Sequence, residues 1–428
     1  MNDEGPEAVI VRGPFSGLRV LELGRFIAAP YCGQLLADGG ADVIKVEALI
    51  GDETRRNGAI LPTEGRQFLN KNRGKRSLAF DLGDAGAREV VRRLALRADV
   101  LIANFRPGDA ARLGLDYAGL AEHNPRLIYA ENTAYGHDGP MAHATGMDLV
   151  MQAYSGIATP TGAGPIPNES PIIDYAAALL LAWGVSTALY HRERTGAGQR
   201  LDTSLLQAAL VLQNNSMNHI DITDGWRDEF VEYLKHAFAD GLSWAEVLEH
   251  RRALQPHAPI RAYYGFLSTA DGAIAVAAGT RPLRARMLEL LGLEDRWVSE
   301  PGWEPPDAHG HADEMTARVE ERLRTNTTAH WCAEFDRLGI PAAPVQLREQ
   351  LLDDAQARAN GYFVRLEHEL VGGVTVVAPP VRFSASPLRV SKASPTLGAH
   401  TRAILAEAGL DDAAVDSLIE RGAVAQWQ

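Results

Sequence analysis

Gly17-Leu-Arg-Val-Leu-Glu-Leu-Gly-Arg-Phe-Ile-Ala-Ala-Pro-Tyr-Cys-Gly-Gln-Leu-Leu-Ala-Asp-Gly-Gly-Ala-Asp-Val-Ile-Lys-Val-Glu47 reads as strand, helix, strand. Two short apolar runs, Arg19 to Leu23 and Val43 to Glu47, flank a helical stretch from Ala29 to Asp38. The alternation continues downstream. Ala87 to Ala98 has helical spacing, with Val90, Val91, Leu94 and Leu96 on one side and arginines between, and Val100 to Asn104 and Leu127 to Glu131 read as further strands. Apolar strands alternating with helices predict a parallel sheet covered on both faces, so the N-terminal half is α/β and Rossmann-like.

Such a start, with Glu47 closing the second strand, invites a nicotinamide dehydrogenase reading. The first turn, Gly24-Arg-Phe-Ile-Ala-Ala-Pro30, opposes it, because a dinucleotide site needs G-x-G-x-x-G for the backbone to approach a pyrophosphate. A chain of 428 residues should hold two or three domain-sized units. A formal charge of −13 opposes wholesale nucleic-acid binding and leaves local anion pockets open. The acidic opening, Met1-Asn-Asp-Glu4, lacks the layout of a secretory leader, and the apolar run Ala176 to Tyr190 is shorter than a membrane span requires, so a cytoplasmic protein is expected. Cys32 and Cys332 lie far apart and predict no disulfide framework. The 13 histidines show no zinc-like spacing, so no metal is expected, and His309 and His311 fall in a proline-rich stretch, 301–310, that reads as an exposed loop.

The second informative stretch is Pro171-Ile-Ile-Asp174-Tyr-Ala-Ala-Ala-Leu-Leu-Leu-Ala-Trp-Gly184, running on to the basic turn Tyr190-His-Arg-Glu-Arg194 and the stop signal Gly196-Ala-Gly198. Asp174 reads as the N-cap of an apolar helix. A carboxylate there faces unpaired backbone N–H groups, which could also receive a developing oxyanion, and the helix dipole would keep it ionised at neutral pH. It therefore reads either as a plain cap or as a nucleophile that needs no general base.

From Tyr263 a smaller α+β unit begins, with an Asp271-Gly272 hairpin turn and helices at Leu283 to Leu291 and Met315 to Arg324, before strands at Ala343 to Val345 and Gly373 to Val377 and a helix at Thr401 to Ala408. Residues 1–213 are expected as the large domain, 214–260 as a linker with helices near Glu229 to Phe238 and Trp244 to Leu254, 261–340 as the small domain, and 341–428 as a segment returning to the large one.

Nearly the whole chain resembles the family III CoA-transferases, which include formyl-CoA transferase and carnitine CoA-transferase, with the α-methylacyl-CoA racemases as relatives on the same fold. The likeness rests on the opening stretch, on Lys71-Asn-Arg-Gly-Lys-Arg-Ser77, Asn104-Phe-Arg-Pro-Gly108, Gly136-His-Asp-Gly-Pro140, Gln152-Ala-Tyr-Ser-Gly156 and Thr195-Gly-Ala-Gly-Gln199, and on Gly339-Ile-Pro-Ala-Ala-Pro344 and Leu397-Gly-Ala-His-Thr401, all in one order. It implies a CoA-transferase with Asp174 as nucleophile, an acyl-CoA thioester as substrate without a permanently bound cofactor, and an interlocked homodimer. It places Ile27, Ala28, Phe80, Asn104, Phe105 and Arg112 along the CoA, Thr145 and Asp148 nearer the thioester, and Arg76 with Lys75 as a basic patch. Read alone, Phe105 could equally be core, and residues 71–76 a solvated charged face.

Departures are informative. Ala48 stands where formyl-CoA transferase carries an arginine, with Arg55 or Arg56 as substitutes, and that enzyme's glycine-run loop is missing. The racemases place a histidine directly before an aspartate in a G-H-D motif. Here the stretch reads Gly146-Met-Asp148, and methionine cannot take a proton, so racemisation is the second reading and a non-catalytic binding protein the third.

Overall fold

The computed structural model describes residues 12–256 and 258–426, so Met1 to Glu4 and His257 lie outside the described residues. The chain divides into two compact units, one running to Ile220 and resuming at Asn360, the other spanning Asp221–Ala359.

The first unit is built on a sheet of six parallel strands: β1 (Arg19–Leu23), β2 (Asp42–Ala48), β3 (Arg76–Phe80), β4 (Val100–Ala103), β5 (Ile128–Thr133) and β6 (Gln199–Ser204). Their order is β6-β5-β4-β1-β2-β3, and Val424–Ala425 adds an antiparallel edge beside β3. Alternate residues point to opposite faces. Leu21, Leu23, Ile44, Val46, Leu78 and Phe80 meet helix α2 (Ala85–Leu96) and two C-terminal helices, Thr401–Glu407 and Asp412–Glu420. Val20, Val43, Val100 and Ile102 meet helix α1 (Ala28–Asp38) and the long helix α4 (Ile172–Thr195) on the other face. Between these helices lies α3 (Asp148–Tyr154), and α5 (Leu205–Leu212) follows β6.

The face toward α1 carries a buried charge network. Glu22 on β1 receives Lys45 at 3.0 Å and Lys75 at 2.6 Å, and Lys45 also meets Asp52 at 3.1 Å. Lys75 donates further to Pro30 O and Asn72 Oδ1. Gly33 in α1 leaves the necessary room, since a Cβ there would stand 2.0 Å from Glu22 Oε2. Next to it, Arg55 forks onto Glu47, bonds Glu64 and Pro395 O, and lies 3.5 Å from the Phe68 ring centre.

This arrangement corrects both the reading of Lys75 with Arg76 as a basic patch and that of residues 71–76 as a solvated charged face. Asn72, Arg73 and Lys75 are buried, Arg73 forks onto Asp38, and Arg76 forks onto Asp42 and Glu407. Arg55 is likewise consumed by buried acids and cannot replace the arginine missing at Ala48.

Helix α4 is 24 residues long, nine more than its apolar run, and by length and composition alone it could cross a membrane. Its Ile173, Ala177, Leu181, Val185 and Ala188 nevertheless form one buried face inside the unit. Gly196, at φ 78°, ends it.

In the second unit the strands Tyr264–Ser268 and Ala273–Ala277 form the expected hairpin across Asp271-Gly272, extended by Ala342–Pro344. The helix Ala308–Leu323 starts inside the stretch expected as an exposed loop, because Asp307 caps it by accepting from Gly310 N. His309 and His311 are therefore helical, and His311 meets the buried Asp295 at 3.0 Å.

Replacing Glu22 with Ala would leave two buried ammonium groups without their shared carboxylate. A loss of about 3–5 kcal/mol is expected in urea denaturation of Glu22→Ala.

Candidate active site

Chain direction in the sheet reverses between β1 and β4: β1 leads outward to β2, whereas β4 lies on its other side. Loops leaving the carboxyl ends of two such strands diverge and open a crevice. Asn104, just past β4, bridges it. Its side chain donates to Arg25 O at 2.8 Å and accepts from Arg25 N at 2.9 Å, locking the loop after β1 to the loop after β4. Phe26, beside that clip, has φ 65°, the one positive value on a non-glycine residue among the described residues, and a conformation that persists only where its surroundings impose it. Phe26, Asn104, Phe105, Thr145, Met147 and Asp174 line the resulting cleft, about 420 Å³ in volume.

Asp174 reaches the cleft wall differently from the sequence expectation. Helix α4 starts at Ile172 with Pro171 as its N-cap, so Asp174 sits in the first turn and caps nothing. The cap comes from another element. Asp148, the buried first residue of α3, accepts from Ile173 N at 2.9 Å and from Asp174 N at 3.0 Å through one oxygen. Its other oxygen accepts from Gln152, one turn along α3, and Gln152 also joins the backbone of Asn168 in both directions. The Ile173 and Asp174 amides expected to receive an oxyanion are thus already engaged.

Charge follows from this geometry. Burial pushes the Asp174 carboxyl up, the adjacent Asp148 charge raises it further, and Lys71 pulls it partly back, leaving it at about 7. The expectation of a fully ionised carboxylate is corrected accordingly: at neutral pH it is divided between protonated and ionised forms. Lys71 is itself buried, and burial lowers its ammonium to about 8 against the opposing fields of Asp52 and Asp174.

Of the other expected site residues, Ile27 and Ala28 are buried where β1 turns into α1, Ala28 packing with Ile173 and Ala177 of α4. Arg112 is exposed on the short helix Asp109–Leu113 and pairs only with Asp109. Arg76 and Phe80 are not brought to the cleft. Arg76 opens β3, at the amino end of the sheet, and is held by two acids, while Phe80 is core beside Val424. Met147, exposed on the cleft wall, supplies no base for racemisation. Among the described residues no group of three or more His, Cys, Asp or Glu side chains could hold a metal ion.

Sequence reading missed Gln152 and Lys71. The i, i+4 spacing of Asp148 and Gln152 on a short helix was the available signal for the first. Nothing local marked the second.

The model of CoA-transferase family III matches residues 15–401. The chain is 30% identical over 422 residues to the succinyl-CoA:glutarate CoA-transferase of Mus musculus, covering 97% of this chain and 91% of that protein. It is 31% identical over 423 residues to a formyl-CoA:oxalate CoA-transferase of Rhodopseudomonas palustris (strain HaA2), covering 96% and 97%. The crystal structure of a CAIB/BAIF family protein from Brucella suis superposes with a TM-score of 0.73 at 31% identity, covering 93% of this chain and all of the other.

An elevated carboxyl has a consequence for stability. The native state holds the Asp174 proton more tightly than the unfolded chain, whose value is 3.8, so ionisation destabilises the fold as pH rises from about 4 through about 7. Asp174→Asn should therefore be more stable than the parent at pH 8, by on the order of 1 kcal/mol or more, with the difference shrinking below pH 7 and gone by about pH 4 in urea titrations. Asp148→Ala should cost about 1–2 kcal/mol by uncapping α4 and should lower the Asp174 titration, readable by carboxylate infrared absorption.

Proposed function

This chain belongs to CoA-transferase family III, and on that premise we propose that it moves coenzyme A from an acyl-CoA donor to a carboxylic acid through a covalent intermediate on Asp174. The observation that carries the reading is the position of Asp174, a partly buried carboxylate on the wall of the cleft at the start of α4.

One Asp174 oxygen attacks the thioester carbonyl, the C–S bond breaks, and CoA leaves as the thiolate, giving a mixed anhydride. The thiolate attacks the aspartyl carbonyl, releasing the donor acid and forming an aspartyl-CoA thioester. The acceptor carboxylate attacks that carbonyl, forming a second anhydride and freeing the thiolate again. The thiolate then takes the acceptor acyl group, and Asp174 departs as the carboxylate. Each step exchanges one activated acyl bond for another, so no ATP is consumed.

Ile27, Ala28, Asn104, Phe105 and Thr145 would flank the CoA arm, the last three from the cleft wall, and Arg112, exposed and paired with Asp109, would turn toward a phosphate. Asp148 would act by holding the start of α4 in place. The mouse and R. palustris relatives are named for succinate, glutarate, formate and oxalate. Short dicarboxylic acids are accordingly the first acceptors for this chain, and Arg25 and Arg106 on the cleft wall suit a second carboxylate. The working form is read as an interlocked homodimer acting in the cytoplasm. The exposed apolar side chains Leu179, Trp183 and Tyr190 along α4 support the oligomer.

Incubation with a panel of acyl-CoA donors without acceptor, followed by borohydride and peptide mass spectrometry, should find Asp174 reduced to the alcohol. Asp174→Ala should lose transfer at least 1,000-fold, about 4 kcal/mol of barrier, while still binding CoA. An unmodified Asp174 across the panel, or substantial turnover by the Ala variant, would remove the covalent route.

A further inference from the structure

We infer that Lys71 is a positioning residue of this reaction, the counter-charge that draws Asp174 toward the carboxylate between turnovers and steadies it as the leaving group when the last anhydride opens. The inference rests on the covalent role proposed for Asp174.

The loop 70–76 supplies the contrast. Its other cations are committed to carboxylates: Arg73 to Asp38, Lys75 to Glu22, Arg76 to Asp42 and Glu407. Lys71 is as buried as Arg73 and Lys75, at 3% exposure, yet among the described residues its ammonium makes no ion pair and a single hydrogen bond, to Gln67 O at 3.2 Å. A buried ammonium without a direct partner opposes folding, and a group kept under that cost is a candidate for function. Its loop is pinned to the first turn of α1 by Lys75 on Pro30 O, and that turn packs through Ala28 against Ile173 and Ala177 of α4, so the loop lies beside the start of α4. The two carboxylates whose fields reach Lys71 are Asp52 and Asp174. Asp52 is already engaged by Lys45 and by Thr54. Among the described residues Asp174 forms no ion pair, and Lys71 is the cation whose field lowers it.

Asp174 requires such help. Around it stand Asp148 from α3, Lys71 from the loop before β3, and Tyr175 on its own helix, backed by Tyr31 of α1 at 5.0 Å between ring centres. Across the cleft, Arg25 is paired to Glu53 at 2.8 Å, and Arg106 is exposed. Asp148 cannot relent, because two amides and Gln152 hold it as an acceptor. Burial and a fixed like charge both oppose the anion that must attack first and leave last, and Lys71 is the group that answers them. It does so from behind, since Lys71 does not line the cleft.

The test compares Lys71→Met and Lys71→Arg with the parent in the full chain, measuring kcat and KM for transfer from the best donor between about pH 5.5 and pH 9. An opposite charge at close range shifts a carboxyl by about 1 pH unit or more. Lys71→Met should move the acid limb up by at least that much, losing about tenfold at pH 6 and under about threefold at pH 9, with KM for the acyl-CoA unchanged and Lys71→Arg restoring the limb. Infrared titration of the Asp174 carboxylate, assigned with Asp174→Asn, should shift upward in the Met variant without substrate present, and Lys71→Gln replaces it if the Met variant melts early. An unmoved limb and an unmoved infrared titration in a folded variant would overturn the role, as would equal losses at every pH in both variants. If Asp174→Ala is inactive while the Lys71 variants titrate like the parent, the Lys71 inference alone fails. If Asp174→Ala still transfers, the covalent reading fails and takes this one with it.

Discussion

One carboxylate shared by two buried lysines joins the parts that make the site. Glu22 stands in β1 and pulls Lys45 of β2 and Lys75 of the following loop onto a single buried point. Through Lys75 it pins Asn72 and the first turn of α1, and through Lys45 the carbonyl of Gly24, so the loop that carries Lys71 and the backbone that leads to Phe26 are set by the same anchor. Charges this deep are tolerated only with nearly every hydrogen and lone pair engaged. Their geometry is therefore rigid, and rigidity is what a site assembled from four separate loops requires.

A second constraint runs through Asp148. Closing the first turn of α4 with a side chain from α3 satisfies two amides, but it sets a second carboxylate, whose field raises Asp174, beside the one that lines the cleft. Helix stability and ionisation of Asp174 pull against each other at one spot. Fold and chemistry are thus coupled there more tightly than either the cap or the carboxylate would suggest alone.

Much of the architecture was legible because its signals are local. β1, β2, β4 and β5 announce themselves as apolar runs, and Asp174 stands out at the head of an apolar helix. β3 and β6 went unread for a physical reason: Arg76-Ser-Leu-Ala-Phe80 follows a run of cations, and Gln199-Arg-Leu-Asp-Thr-Ser204 is a half-exposed edge strand with polar residues at alternate positions. The burial of the 71–76 cations was equally hidden, since their acids lie at Glu22, Asp38 and Asp42, thirty or more residues upstream. The tie from Asp148 to α4 spans 26 positions, and no period in the sequence encodes it. Capping and ionisation at Asp174 were misjudged together, because both depend on that tie.

The sheet is completed by residues more than three hundred positions along the chain from its first strands. Val424–Ala425 pairs with β3, Ile404, Leu405, Val415 and Leu418 fill the core under Leu21 and Leu78, and Pro395 receives Arg55. During synthesis, then, the apolar face laid down by the first hundred residues is only partly covered, by α2, until the segment beyond Asn360 has been delivered. The unit spanning Asp221–Ala359, with its own core, emerges in the interval and can fold while the older one waits. A stalled or truncated chain would present that open face to the cell, which makes this a protein whose nascent form calls on chaperones more than its finished form does.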